Sequence, residues 1–150
     1  MWKLLPGVAL ALLFIAQPAL AAELIVKRSP HSVSTTLDRL EKALAQKDIG
    51  VMARIDHAAN AKSVEMELRP TELLIFGNPA VGTKLMQAEQ TMGLELPMKA
   101  LAWEDAEGQI WIGYESPAVF AERRGLSPDH EVVQAVADAL DALTEAAIQH

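Results

Sequence analysis

Two stretches of this chain carry residue types that could do chemistry. The first is Gly77-Asn78-Pro79-Ala80-Val81-Gly82-Thr83-Lys84, which follows the apolar run Glu72 to Phe76. A loop that cradles phosphate reads GxxxxGK[ST]: backbone N–H groups surround the anion and a lysine reaches its outer oxygens. The glycine spacing fits, but Thr83 and Lys84 stand in reversed order. Each side chain would then point about 100° away from its required direction on the following helix. Pro79 also takes one N–H out of the cradle. Nucleotide hydrolysis is therefore set aside. Two readings stay open: a looser site for a small anion at the start of a helix, or glycines that permit tight turns before a helix capped by Thr83.

The second stretch is Asp56-His57. A carboxylate beside an imidazole can hold a general base in one tautomer. Neighbouring residues on a strand point to opposite faces, so this works only where the strand has ended. The alternative is a polar strand end without a chemical role. His31, His57, His130 and His150 show no metal-ligand spacing, and Met52, Met66, Met86, Met92 and Met98 form no MxxM or MxM cluster. Thioethers suit Cu(I), but methionine is also an ordinary core filler. No metal and no cofactor is expected.

The elements that must position these residues can be read from periodicity. Leu24 to Val26 is a short strand. Val33, Leu37, Leu40 and Leu44 make one apolar stripe on a helix capped by Ser32 or Ser34. Val51, Ala53 and Ile55 alternate with Met52, Arg54 and Asp56, the period of a half-buried strand. Residues 57–63 read as a loop or a short helical turn, Glu72 to Phe76 as a central strand, and Thr83 to Gln90 as a short helix. Lys99–Glu104 and Gln109–Tyr114 flank Asp105-Ala106-Glu107-Gly108, a hairpin signal. Leu101 and Trp103 share one face of the first hairpin strand. Ile110 and Ile112 share one face of the second, with Trp111 opposite. Pro117 to Arg124 is a short helix closed by Gly125. Ser127 and Pro128 predict the start of a last helix with the stripe Val132, Val136, Leu140, Leu143 and Ala147. The expected fold class is α+β: an antiparallel sheet of about five strands with helices packed on one face. Trp103 and Trp111 are expected on opposite faces, so the second face would need cover from a partner.

Residues 1–22 read as a signal peptide. Lys3 is the basic start, Val8 to Ala16 the apolar run, and Ala19-Leu20-Ala21 the small-x-small cleavage signal. The rival is an uncleaved anchor, for which Pro6, Gly7, Gln17 and Pro18 are poor choices. Residues 23–150 are then a single domain, periplasmic or secreted, with no membrane association after cleavage. The chain has no cysteine, which excludes disulfides and thiol chemistry. Cleavage leaves 12 basic against 20 acidic residues, a net charge of −8, which disfavours nucleic acid.

The motifs Arg54-Ile-Asp-His-Ala-Ala-Asn-Ala, Leu68-Arg-Pro-Thr-Glu-Leu-Leu-Ile-Phe-Gly-Asn-Pro, Gly82-Thr, Leu96-Pro-Met-Lys-Ala-Leu-Ala-Trp-Glu-Asp and Trp111-Ile-Gly-Tyr-Glu-Ser-Pro follow one another in this order. Together they resemble the family called domain of unknown function 302. The resemblance covers residues 24–126 and leaves a C-terminal helix, 127–148, outside. It implies a β-α-β(4)-α fold similar to the TATA-binding-protein-like class, often as a homodimer, with no settled activity. Its signature maps to Asp56, His57, Gly77, Asn78, Pro79, Gly82, Thr83, Pro97, Lys99, Trp103 and Tyr114. A histidine common in the family is replaced here by Arg124.

Three functions follow as expectations. The first is a non-catalytic exported binding domain for a small anionic ligand. Its site is formed by Asp56, His57, Gly77, Asn78, Gly82 and Thr83, where the two turns meet. The second is a hydrolase or isomerase with His57 as general base. The third is a homodimeric interaction protein.

Overall fold

The computed structural model describes residues 23–149. The leader expected at residues 1–22 lies outside the described residues. Five strands, β1 (Leu24–Ser29), β2 (Gly50–Asp56), β3 (Thr71–Gly77), β4 (Met98–Glu104) and β5 (Ile110–Glu115), form one sheet in the order β1-β5-β4-β3-β2. Every neighbouring pair is antiparallel. Helices α1 (Val33–Ala45) and α5 (Glu131–Ile148) pack on each other and on the sheet, and the short helix α4 (Pro117–Arg123) packs on α5. The α+β class is the one the periodicity predicts.

Helix α1 forms where its pattern places it. Ser32 Oγ accepts from the Thr35 amide at 3.1 Å, and Val33, Leu37, Leu40 and Leu44 are buried against the sheet layer. From the sheet, Leu74, Phe76, Ala100, Ala102, Ile112 and Tyr114 close the core. The small Ala100 and Ala102 leave room for α1 to approach, as facing layers of large and small residues interdigitate.

Strand β2 departs from its simple alternation. Its pairing with β3 runs Val51 to Phe76, then Ala53 to Ile75, so Met52 is an inserted residue in a β-bulge. Beyond the bulge Ala53 and Ile55 share the outer face with Ile75 and Leu73, while Arg54 turns inward beneath α1. The polar residue is the inward one because α1 supplies acids to meet it.

The hairpin forms as its glycine requires. Asp105 N–H donates to the Gln109 carbonyl at 2.9 Å, and Gly108 adopts φ +78°, a left-handed position at no steric cost to glycine. The tryptophans correct the expectation. Trp103 and Trp111 are cross-strand partners on the same face, opposite to Ile112 and Ala102. The hairpin register, set by a loop of this length, decides this. A turn two residues shorter or longer would preserve this facing, which the pattern of neither strand shows by itself.

Asp105 is more than a solvated turn residue. Its Oδ2 accepts from the Trp111 indole at 2.7 Å and its Oδ1 from the Gln109 and Glu107 amides at 2.8 and 3.0 Å. The indole N–H, then the Gln109 amide, hold its carboxyl below the usual aspartate range. A depressed carboxylate pKa contributes stability present above the unfolded-state value, about 3.9, and lost as pH falls through the lower folded value. Trp111 fluorescence should therefore step on acidification below pH 3.9, the ordinary aspartate value. The same step in an Asp105→Ala protein would contradict this assignment.

The last helix starts later than Ser127-Pro128 suggests. Ser127 and Pro128 lie in a preceding turn, where the Ser127 carbonyl accepts from His130 N–H. His130 is the cap, its Nδ1 accepting from the Val132 amide at 3.2 Å. The buried stripe begins at Val133 and continues through Val136, Leu140, Leu143, Thr144 and Ala147, with Val132 half-buried.

Candidate functional site

The expected binding residues do not converge. Gly50 pairs with Gly77, and Asp56 pairs with Glu72, on the same two strands. Asp56-His57 and Gly77-Asn78 thus sit at opposite ends of β2 and β3. Six residues of strand separate them by about 20 Å. Asp56 does not orient His57 either. Its Oδ1 accepts from the Ala59 amide at 2.8 Å and caps α2 (His57–Ser63), a short helix whose first residue is His57. Arg124 stands apart from His57 as well. Its Nε reaches Glu95 Oε1 at 2.5 Å, just before the strand end that holds Met98 opposite Phe76. Among the described residues no three His, Asp or Glu side chains gather as a metal site.

The Gly77–Thr83 segment is not an open loop. Helix α3 runs from Pro79 to Ala88 with Asn78 as its cap and Pro79 at the first position. Asn78 Oδ1 accepts from Ala80 N–H at 2.9 Å, and the Asn78 carbonyl accepts from Val81 and Gly82 at 3.1 and 3.0 Å. Those amides are engaged within the helix, so the cradle expected for a small anion is closed. Thr83 is inside the helix and does not cap it. The pair Asn-Pro was legible as a cap followed by a first helical residue.

What this end of the sheet does hold is a cavity of about 410 Å³. Its floor is Phe76, Gly77 and Met98, one wall is α3 with Val81, Leu85 and Met86, and the other is α5 with Val136, Leu140 and Leu143. A 3-10 helix, Gln90–Leu94, and the Leu96-Pro97 turn complete it. Lys99 braces that turn, its Nζ donating to the Glu95 and Pro97 carbonyls at 3.3 and 3.0 Å. Among the described residues, Asn78 and Thr83 are the polar side chains in the lining, and no titratable side chain belongs to it. Gly77, Asn78, Gly82 and Thr83 of the expected site line this cavity; Asp56 and His57 do not. Met52, Met86 and Met98, far apart in sequence, meet along it. Sequence spacing could not show this, because the three sit on β2, α3 and β4.

Gly82 is conspicuous in this wall. It lies inside α3 without a positive φ, and an added Cβ would meet Leu96 Cδ1 at 3.6 Å, an ordinary contact. Neither backbone nor packing demands glycine here, yet glycine costs a helix about 1 kcal/mol relative to alanine. Gly82→Ala should stabilise the domain by about 0.5–1 kcal/mol, read from its urea midpoint, while narrowing the cavity. A destabilised variant would show that the glycine serves the fold.

Several other signature positions are structural. Trp103 lies against Gly113, whose added Cβ would come within 3.1 Å of its ring, and Tyr114 is buried in the core.

Known proteins are similar in two ways. Over 108 residues, 71% of this chain, it is 46% identical to a protein named fluoride-specific ion channel FluC 1 of Brucella suis, and equally so to FluC 1 of Brucella abortus. Those stretches are 42% and 40% of the two relatives, so the chain spans about two fifths of their length. A crystal structure of an uncharacterized conserved DUF302 protein from Bacillus stearothermophilus superposes with a TM-score of 0.78 at 19% identity, covering 85% of this chain and 99% of that one. It shows the shared fold. The model of the family "Domain of unknown function DUF302" matches residues 25–147, so α5 is part of the family domain and not an appendage to it. Fold and motif order thus agree, and this chain belongs to the DUF302 family.

Proposed function

We propose that this protein is an exported, non-catalytic domain that binds a small, mostly apolar molecule in the cavity between α3 and α5. The observation that carries the reading is the composition of that lining. A cavity of about 410 Å³ falls within the size of small-molecule sites, roughly 300–1,000 Å³. Its lining offers no acid or base among the described residues, so nothing in it would activate the Thr83 hydroxyl for turnover. It also offers no cation for an anion, which redirects the ligand from anionic to neutral. His57 lies outside it, so the hydrolase or isomerase reading has a base without a pocket. Export rests on the leader pattern of residues 1–22.

The methionines supply the test. With methyl-labelled protein, toluene and cyclohexanol should shift the Met52, Met86 and Met98 methyl signals and leave the exposed Met66 unmoved. Equal shifts at Met66, or none at the three, would sink the reading.

A second reading is a homodimer through the outer sheet face. Trp103, Trp111, Leu101, Leu73 and Val26 share that face, and α1 and α5 pack on the other. Light scattering at micromolar concentration tests it, with Trp103→Lys expected to give a monomer. The fluoride-channel relatives suggest a setting. No helix of the described residues is long and apolar enough to cross a membrane. The shared stretch would serve those channels as an appended domain and not as their pore.

A further inference from the structure

Resting on the cavity reading, the geometry points to one ligand chemistry: the hydrocarbon chain of an uncharged single-chain amphiphile, tail among the α3 and α5 side chains and head at Asn78 and Thr83. Five observations support it. The walls are aliphatic and thioether, with Phe76 the single aromatic in the lining among the described residues. Flexible methionine and leucine walls mould to a flexible chain, whereas a flat ring system is matched by aromatic faces. At roughly 30 Å³ per group, the share of a water molecule in the liquid, the cavity takes on the order of a dozen chain carbons.

The cavity also opens through an apolar mouth. Met52, Val81 and Met86 line it and are 55%, 37% and 36% exposed. A tail can enter there without passing a polar ring. The polar groups of the lining both lie on the first turns of α3. Asn78 spends its Oδ1 on the Ala80 amide, which leaves its Nδ2 as a donor. Thr83 is exposed one turn further along α3. Both groups are neutral. A charged head drawn into this site would meet no counter-ion in the lining, and an anionic one would also meet a surface with excess acid. Finally, Gly82 keeps the α3 wall thin at a cost to the helix that packing does not require.

The experiment is a calorimetric titration of the 1-alkanols from octanol to tetradecanol. Affinity should rise about tenfold for each two added carbons and level off once the chain outgrows the cavity. Decanoate and decyltrimethylammonium should bind at least tenfold more weakly than decanol. Ala139→Phe, at an exposed position on the α5 wall, should weaken decanol at least tenfold; Ala135→Leu tests the same wall if that variant does not fold. In sedimentation with phosphatidylcholine vesicles the protein should stay in the supernatant; co-sedimentation would point to a two-chain lipid with a charged head and overturn the uncharged single-chain ligand. Alkanol affinities independent of chain length, while toluene still shifts the three methionine methyls, would overturn the alkyl ligand and leave the cavity reading standing. No response to any of these probes would overturn both.

Discussion

Replacing Arg54 by methionine is expected to cost the domain about 2–4 kcal/mol, because it strands charges that only this side chain neutralises. Arg54 Nε donates to Glu72 Oε2 at 2.7 Å, its Nη1 to Asp38 and Glu41 at 2.6 and 3.2 Å, and its Nη2 to the Ser34 carbonyl and hydroxyl at 3.1 Å each. Burial works against the guanidinium charge, but the bonds from Asp38, Glu72 and Glu41 outweigh it and raise its pKa. One residue thus ties the edge strand β2 to both β3 and α1. Without it, Glu72, whose side chain is 15% exposed, has no counter-charge and faces two more carboxylates. The partial exposure of Asp38 and Glu41 keeps the cost below that of a fully buried pair. Arg54→Lys should recover less than half of the loss, since one ammonium cannot span the acceptors on both α1 and β3. Urea unfolding gives the number. A change below 1 kcal/mol for the methionine variant would show that solvent screens this cluster.

Phe76→Ala should cost more, about 3–5 kcal/mol, and the loss should be partly reversible by ligand. Phe76 is 2% exposed, packs in the core and forms part of the cavity floor. Its removal deletes the largest fully buried side chain and merges the vacated volume with a cavity already open to small molecules. Toluene at a hundredfold excess over its dissociation constant would return about 2.7 kcal/mol. Thermal unfolding with and without toluene measures both parts. A variant destabilised as expected but indifferent to toluene would mean that the enlarged space is closed off from solvent.

Local signals are legible where one element decides its own form. The α1 stripe with its Ser32 cap, the central strand through Leu74 and Phe76, and the hairpin with Gly108 are of this kind. Errors arose where a partner decides. Arg54 reads as an ordinary polar residue of an alternating strand, and only α1 turns it inward. The bulge at Met52 cancels the alternation that Val51, Ala53 and Ile55 suggest, and no composition signal marks it. The two tryptophans could not be placed on one face without the register of the hairpin. The candidate site failed for the same reason. Asp56-His57 and Gly77-Asn78 each lie at a strand end, but which ends adjoin depends on strand direction, and β2 and β3 are antiparallel. Four of the six expected residues lie on a cavity whose other walls, α5 and Leu96-Pro97, are remote in sequence.

The bulge has a further consequence at the sheet border. Strands β1 and β2 are the two outermost strands, and an unpaired border strand is a template onto which another molecule can add its own. With Met52 inserted, β2 offers an uninterrupted ladder only from Ala53 to Asp56, too short and too twisted to seed a growing fibril. Deleting Met52 would straighten that border, and the slow rise of turbidity in a concentrated solution of the shortened protein would reveal what the inserted residue prevents.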